Sequence, residues 1–406
     1  MGYIGFAPIS FVFLDITYIS MPQTSCYFYA KFRFRRNCIM IMANNLKRQY
    51  DLHAPEYENK ALEVLRSGWY ILGNEVKAFE KEWADYIGSK YCVGLASGLD
   101  ALWISFRVLG IHEGDEVIVS GNAYIACVMG ITMNGATPIF VEPDEYDNID
   151  ANKIEAAITD KTKAILAVHL YGTSCDMTKI MDIAHKYNLK VVEDCAQSHG
   201  NHWKNKTVGT FGDIGCFSFY PSKGCGAFGD AGCIVTDNEE LADKFRVFRN
   251  YGSRVRYQNE VVGANSRLDE LQAGLLRVKL KHLDEFNEER NKLAQRYYEG
   301  IKNPIIQLPQ IRPGADSSWH QYVVHVKEGN RDGLMNYLKE KDIGTIIHYP
   351  IPPHLSKAYE YLGHKKGDYP ITEKYASEVL SLPMYNGMTE EEQTTVIKAI
   401  NGFEVN

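Results

Sequence analysis

An α/β fold with a mostly parallel sheet is predicted for this chain. Short, apolar, β-branched runs recur along its body, stretches with helical spacing separate them, and small or polar residues follow the runs. Strand–helix alternation with near-continuous apolar strands implies a sheet covered on both faces. Ligands of such sheets sit at the carboxyl ends of the strands, so the residues just after each run carry the functional question.

Taken in order, Tyr91–Ala96 reads as a strand and Asp100–Leu109 as a helix. Glu116–Ser120 is the next strand, Ala123–Asn134 the next helix, and Thr137–Val141 a third strand. A helix starts at Ile154–Ile158, and Ala164–His169 is a buried strand. Lys179–Tyr187 is helical and Lys190–Glu193 extended. Beyond Thr236 the pattern changes: Glu239–Arg249 and Arg267–Tyr298 are long helical stretches rich in Leu, Glu, Lys and Arg. Pro304, Pro309 and Pro313 mark a linker. Trp319–Asn406 mixes short strands and helices. The predicted organisation is an atypical extension over 1–42, a large domain over 43–300 and a smaller C-terminal α+β domain over 301–406.

Composition narrows the function classes. Of 406 residues, 45% are hydrophobic and 23% charged, ordinary values that exclude disorder along the whole chain. The net charge of −7 excludes an overall basic field for nucleic acid. Nine cysteines are an odd number, without Cys-x-x-Cys or a zinc-ligand spacing. Reduced thiols, no metal site and a cytoplasmic location are expected. Residues 1–20 are apolar but broken by Asp15, and Lys31–Arg36 is basic. Neither a signal peptide nor a membrane span fits them well, so no membrane association is expected; the alternative is a signal anchor held by the basic cluster. Translation is expected to begin at Met40 or Met42.

The chemistry concentrates in three segments. In Leu95–Leu102 a strand ends, a small-residue turn follows and a helix begins, so free backbone N–H groups offer an anion site or simply a tight turn. In Val191–Gly200 the acidic pair Glu193–Asp194 ends a buried strand. A carboxylate there needs a partner, which a protonated heterocyclic nitrogen or nearby backbone N–H groups would supply. In Gly215–Gly232 a single lysine, Lys223, lies between Phe217, Phe219 and Tyr220 on one side and Ala227 and Phe228 on the other. An apolar setting disfavours the ammonium and leaves a nucleophilic amine; the alternative is a surface lysine in a Gly-rich turn, which the flanking aromatic residues make less natural. No Gly-x-Gly-x-x-Gly follows a strand, which speaks against a nicotinamide dehydrogenase.

Together these segments resemble the DegT/DnrJ/EryC1/StrS sugar aminotransferases, of the pyridoxal-phosphate (fold type I) superfamily. Ser218–Lys223 and Glu193–Gly200 are the most specific marks, and Asn122–Ala126, Gly263–Asp269 and His348–His354 also match. The resemblance implies an aspartate aminotransferase-like fold and pyridoxal 5'-phosphate as cofactor. It is nearest to enzymes that aminate C3 of a dTDP-3-keto-6-deoxyhexose, with L-glutamate as donor. By the same resemblance Lys223 forms the Schiff base and shuttles the proton, while Asp194 keeps the pyridine nitrogen protonated. Gln197 lies beside the 3-hydroxyl and Tyr124 stacks on the ring. Gly98, Leu99 and Ser218 grip the phosphate. Asn265 reaches the phosphate held by a partner chain, which implies a homodimer with shared active sites. His348 and Tyr349 are substrate-pocket candidates, and His199 braces its turn.

Two departures stand out. Gly224–Cys225–Gly226 follows the lysine where the family has Asn-Leu-Gly, and Leu99 stands where Thr is frequent. The alternatives are a dehydratase with the same cofactor, against which the retained Lys223 speaks, and a non-catalytic cofactor-binding sensor.

Overall fold

The structure, a computed structural model, describes residues 40–405. The expectations about residues 1–39 lie outside the described residues. A seven-stranded sheet forms the centre, in the order Tyr91–Leu95, Gly232–Thr236, Ile214–Ser218, Lys190–Asp194, Thr162–Val168, Glu116–Ser120, Thr137–Val141. All strands run parallel except Gly232–Thr236, which is antiparallel to both of its neighbours.

Strand period 2 divides the apolar side chains between two cores. Ile118, Ile165 and Val191 point to one, where the helices Asn74–Ile87, Met177–Tyr187 and Glu270–Lys281 cover the sheet. Val117, Val119, Leu166 and Val192 point to the other, under the helices Gly98–Val108, Ile125–Thr132 and Glu239–Phe248. A separate three-stranded antiparallel sheet joins Ile306–Gln307, Tyr322–Val326 and Val379–Leu382. Its own core gathers Tyr297, Val324, Leu338, Leu380, Val396 and Ile400. Ile41 packs into this core and bridges Ile343. The helix Glu390–Asn401 closes it, started by a capping box in which Thr389 and Glu392 satisfy each other's backbone N–H groups. Among the described residues no helix is long and apolar enough to cross a membrane.

Two strands, Ile214–Ser218 and Gly232–Thr236, were not expected from the sequence. Gly215 and Gly232 disguise them as turns. A Cβ on Gly215 would lie 2.4 Å from Gly209 O, and one on Gly232 would lie 2.4 Å from Ser97 O, so both glycines serve close backbone approach inside strands. The stretch Arg267–Tyr298 is two helices, Glu270–Lys281 and Leu283–Gly300, because His282 leaves helical geometry with ψ 3°.

Candidate active site

At the carboxyl end of Lys190–Asp194 the sheet's alternation separates the acidic pair. Glu193 faces the first core, fully buried, and accepts hydrogen bonds from Gly209 N (2.8 Å), Phe211 N (2.7 Å) and Gly212 N (2.8 Å). Its Oε2 also lies 3.1 Å from His169 Nε2. Asp194 points the other way, into a cavity of about 440 Å³. It accepts from Ala196 N at 3.0 Å, and the Cys127 thiol donates to its Oδ2 at 3.0 Å.

The helix Gly98–Val108 opens on the same cavity. Ser97 caps it by accepting from Asp100 N at 3.1 Å. Gly98 and Leu99 follow on the cavity wall, and Ser218 packs against them. A Cβ on Gly98 would stand 2.4 Å from Ser218 Cβ, so the close approach of helix start and strand end requires glycine. First-turn amides with a hydroxyl beside them on one cavity wall are a ready anion cradle.

Lys223 enters from the loop between the two central strands that the sequence concealed. Burial pushes its amine down to about 8, although nearby Asp194 favours the charged form. The loop is held on both sides of the lysine. Lys223 N donates to Tyr220 O (2.8 Å), Cys225 N to His199 Nδ1 (3.0 Å) and Ala227 N to Phe219 O (2.8 Å). A Cβ on Gly226 would meet Pro221 O at 2.3 Å, whereas Gly224 has nothing nearer than 3.7 Å. A Cβ is therefore tolerated at Gly224, where the chain departs from the family pattern.

Gln197 lies against the cavity with both ends engaged. Its Oε1 accepts from Tyr171 N at 2.7 Å and its Nε2 donates to the Tyr349 hydroxyl at 3.0 Å. The Tyr349 and Tyr124 rings stand 4.8 Å apart, tilted by 31°. His348 lines the same wall, with Nδ1 2.8 Å from Ser381 Oγ, and burial lowers its imidazole to about 4.

The fold thus brings Lys223, Asp194, Gln197, Tyr124, Gly98, Leu99, Ser218, His348 and Tyr349 to one cavity. His199 is not on its wall. It is buried beneath the lysine loop, and burial holds its imidazole at about 3. Asn265 is also not there; it is exposed, bridging Asn250. Sequence reasoning overlooked Cys127, which sits one helical turn after Tyr124 on the same face, a spacing that would have revealed it. It also overlooked His320 and Gln321, which carry no local signal.

A lysine opposite a strand-end aspartate, beside a helix N-terminus, is a constellation that comparison with known proteins resolves. The family model described as the DegT/DnrJ/EryC1/StrS aminotransferase family matches residues 52–401. The chain belongs to that family. It is an aminotransferase with the aspartate aminotransferase-like α/β fold. A curated relative, the dTDP-3-amino-3,6-dideoxy-alpha-D-galactopyranose transaminase of Aneurinibacillus thermoaerophilus, is 52% identical over 84% of this chain and 93% of its own. The structure of S. venezuelae DesV in complex with a ketimine intermediate superposes with a TM-score of 0.87 at 42% identity. It covers 89% of this chain and 98% of that one. Bacillus subtilis NtdA with bound cofactor PMP gives 0.83 at 34% identity over 91% and 86%.

Proposed function

We propose that this family member transfers an amino group from L-glutamate to C3 of a nucleotide-linked 3-keto-6-deoxyhexose, with pyridoxal 5'-phosphate as cofactor. The observation that carries the reading is the shared cavity of Lys223, Asp194 and the Gly98 helix start. The residues fit the group. The glycine-enforced cradle suits its phosphate, Asp194 suits a protonated ring nitrogen, and Lys223 presents an amine with no hydrogen-bond partner among the described residues. The names of the Aneurinibacillus relative and of the NtdA complex support the sugar and the cofactor.

When bound, the cofactor supplies an electron sink for negative charge at the donor's α-carbon. The protein's part is to place and move protons. Lys223, with an amine lowered to about 8, is deprotonated in part near neutral pH and can take the α-proton and return it. Asp194 would hold a proton on the ring nitrogen, and the Cys127 thiol fixes the carboxylate's orientation. Gln197, held by Tyr171 N, offers its amide beside the ring and positions the Tyr349 hydroxyl. Tyr124 would pack against the ring, and Gly98, Leu99 and Ser218 would anchor the phosphate. We further propose a cytoplasmic homodimer in which Asn265 of each protomer completes the partner's cradle; its exposure in the single chain supports that reading.

The test is the visible absorbance of the purified protein. L-glutamate should bleach the band of bound pyridoxal phosphate, and a 3-keto-6-deoxyhexose nucleotide should restore it. A band that no amino donor bleaches would overturn the transaminase reading.

A further inference from the structure

One wall of the cavity is left unused by the proton chemistry. It is the turn Ser317–Gln321, which leads into the strand Tyr322–Val326 of the smaller sheet. His320 and Gln321 both line the cavity. His320 is 9% exposed, and neither its Nδ1 nor Gln321 Oε1 has a hydrogen-bond partner. Buried polar atoms are nearly always paired, so two adjacent unpaired ones on a cavity wall call for a ligand.

The turn is built to hold them still. The buried Arg290 guanidinium donates from Nη1 to Trp319 O (3.0 Å) and His320 O (3.2 Å), while its Nε donates to Asn386 Oδ1 (3.0 Å). Ser318 N donates to Gly172 O (3.2 Å) and Gln321 N to Tyr171 O (3.3 Å). Gly172, at φ +97°, passes so close that a Cβ would lie 2.8 Å from His320 N. Two other chain segments thus clamp the turn against the cavity.

The chemistry of the pair selects its ligand. Burial and the nearby Lys223 charge hold His320 well below its ordinary value, so it is neutral. A neutral imidazole offers one donor and one acceptor, and a carboxamide offers both kinds as well. Hydroxyl groups, which donate and accept, complement that set. A carboxylate or phosphate would find no positive charge in this pair and would leave its two acceptors, the imidazole lone pair and the Gln321 carbonyl, unpaired. Of the reactants, glutamate and the nucleotide diphosphate bind through anions, and the hexose binds through uncharged oxygens.

We propose that His320 and Gln321 read the hydroxyl groups of the hexose that flank the reacting carbonyl. The assignment rests on the keto-sugar reading above.

The holoenzyme tests it through its two half-reactions, followed separately in single turnovers. His320→Phe and Gln321→Leu should slow the reaction with the keto-sugar by about 10–100-fold more than the reaction with L-glutamate. His320→Asn, which keeps a donor and an acceptor, should recover part of the loss. Equal losses in both half-reactions, or a larger loss with glutamate, would overturn the assignment. The wild-type protein provides a check that needs no variant. A keto-sugar with hydrogen in place of the flanking hydroxyl should react about 10–100-fold more slowly. Equal reaction of both sugars overturns the assignment while leaving the transaminase reading intact. A wild type inert with glutamate and with sugar overturns both.

Discussion

The two faces of the central sheet treat neighbouring carboxylates differently. Glu193 faces a sealed core and is saturated by three backbone N–H groups, so its charge is consumed by structure. Asp194, one residue on, faces the cavity and retains capacity for a ligand beyond one backbone amide and a thiol. The lysines repeat the contrast. Burial lowers Lys223 and Lys279 alike to about 8. Lys223 lines the cavity beside Asp194, whereas Lys279 lies on the helix Glu270–Lys281 with its ammonium 5.9 Å from the Phe286 ring centroid. A depressed lysine is therefore not by itself a catalytic one; access to a reacting atom decides.

The lysine pair provides the largest test of this contrast. Lys223→Ala should slow the glutamate half-reaction by at least about 10²–10⁴-fold while circular dichroism stays native. Lys279→Met should keep turnover and raise or preserve the melting temperature, because burial disfavours the charged form of this amine. Comparable activity losses in the two variants would break the comparison.

Next come the acids. Asp194→Asn should cut turnover by about 10²-fold or more with little change in melting temperature. Glu193→Ala should do the reverse, costing about 2–4 kcal/mol of stability by stranding buried amides, with activity per folded molecule largely kept. Chemical denaturation beside single-turnover rates separates the two.

A smaller effect concerns pH. The Lys223 amine reacts with an aldehyde only when deprotonated. Uptake of pyridoxal phosphate by the apoprotein should therefore accelerate as pH rises through about 8. A flat rate profile would mean that the amine is not the attacking group.

The smallest effect lies between the sheets. His325 in the small sheet meets Asp147 Oδ1 at 3.0 Å and Glu378 Oε2 at 3.6 Å. Burial alone would lower its imidazole, but the two carboxylates outweigh it and raise it above 6.5. A raised folded value stabilises the fold fully below the unfolded value of 6.5, and that stability is lost as pH climbs through the folded one. The wild-type melting temperature should fall over that window, and the fall should vanish in His325→Gln.

Much of this was legible in the sequence. Near-continuous apolar runs marked most of the parallel strands, and the residues that follow or end them, Gly98, Tyr124 and Asp194, do reach one cavity. The apolar neighbours of Lys223 pointed to a desolvated amine, and Lys223 does line the cavity with its value lowered. His320 and Gln321 were not legible, because their role depends on Arg290 and Gly172 clamping a turn from distant parts of the chain. The strand Gly232–Thr236 was hidden because its glycine answers to close contact with Ser97, not to local propensity.

Residues 40–405 therefore divide by range of interaction. Periodicity and turn chemistry act over a few residues, and they determined most of the parallel strands, the helices between them and Lys223 as the candidate nucleophile. The tertiary structure decided which loops share the cavity. Sheet order sets the Gly232–Thr236 strand between Tyr91–Leu95 and Ile214–Ser218, which brings Lys223, Ser218 and the Gly98 helix start to one place. Local sequence cannot encode that meeting, since it depends on hydrogen bonds between strands far apart in the chain.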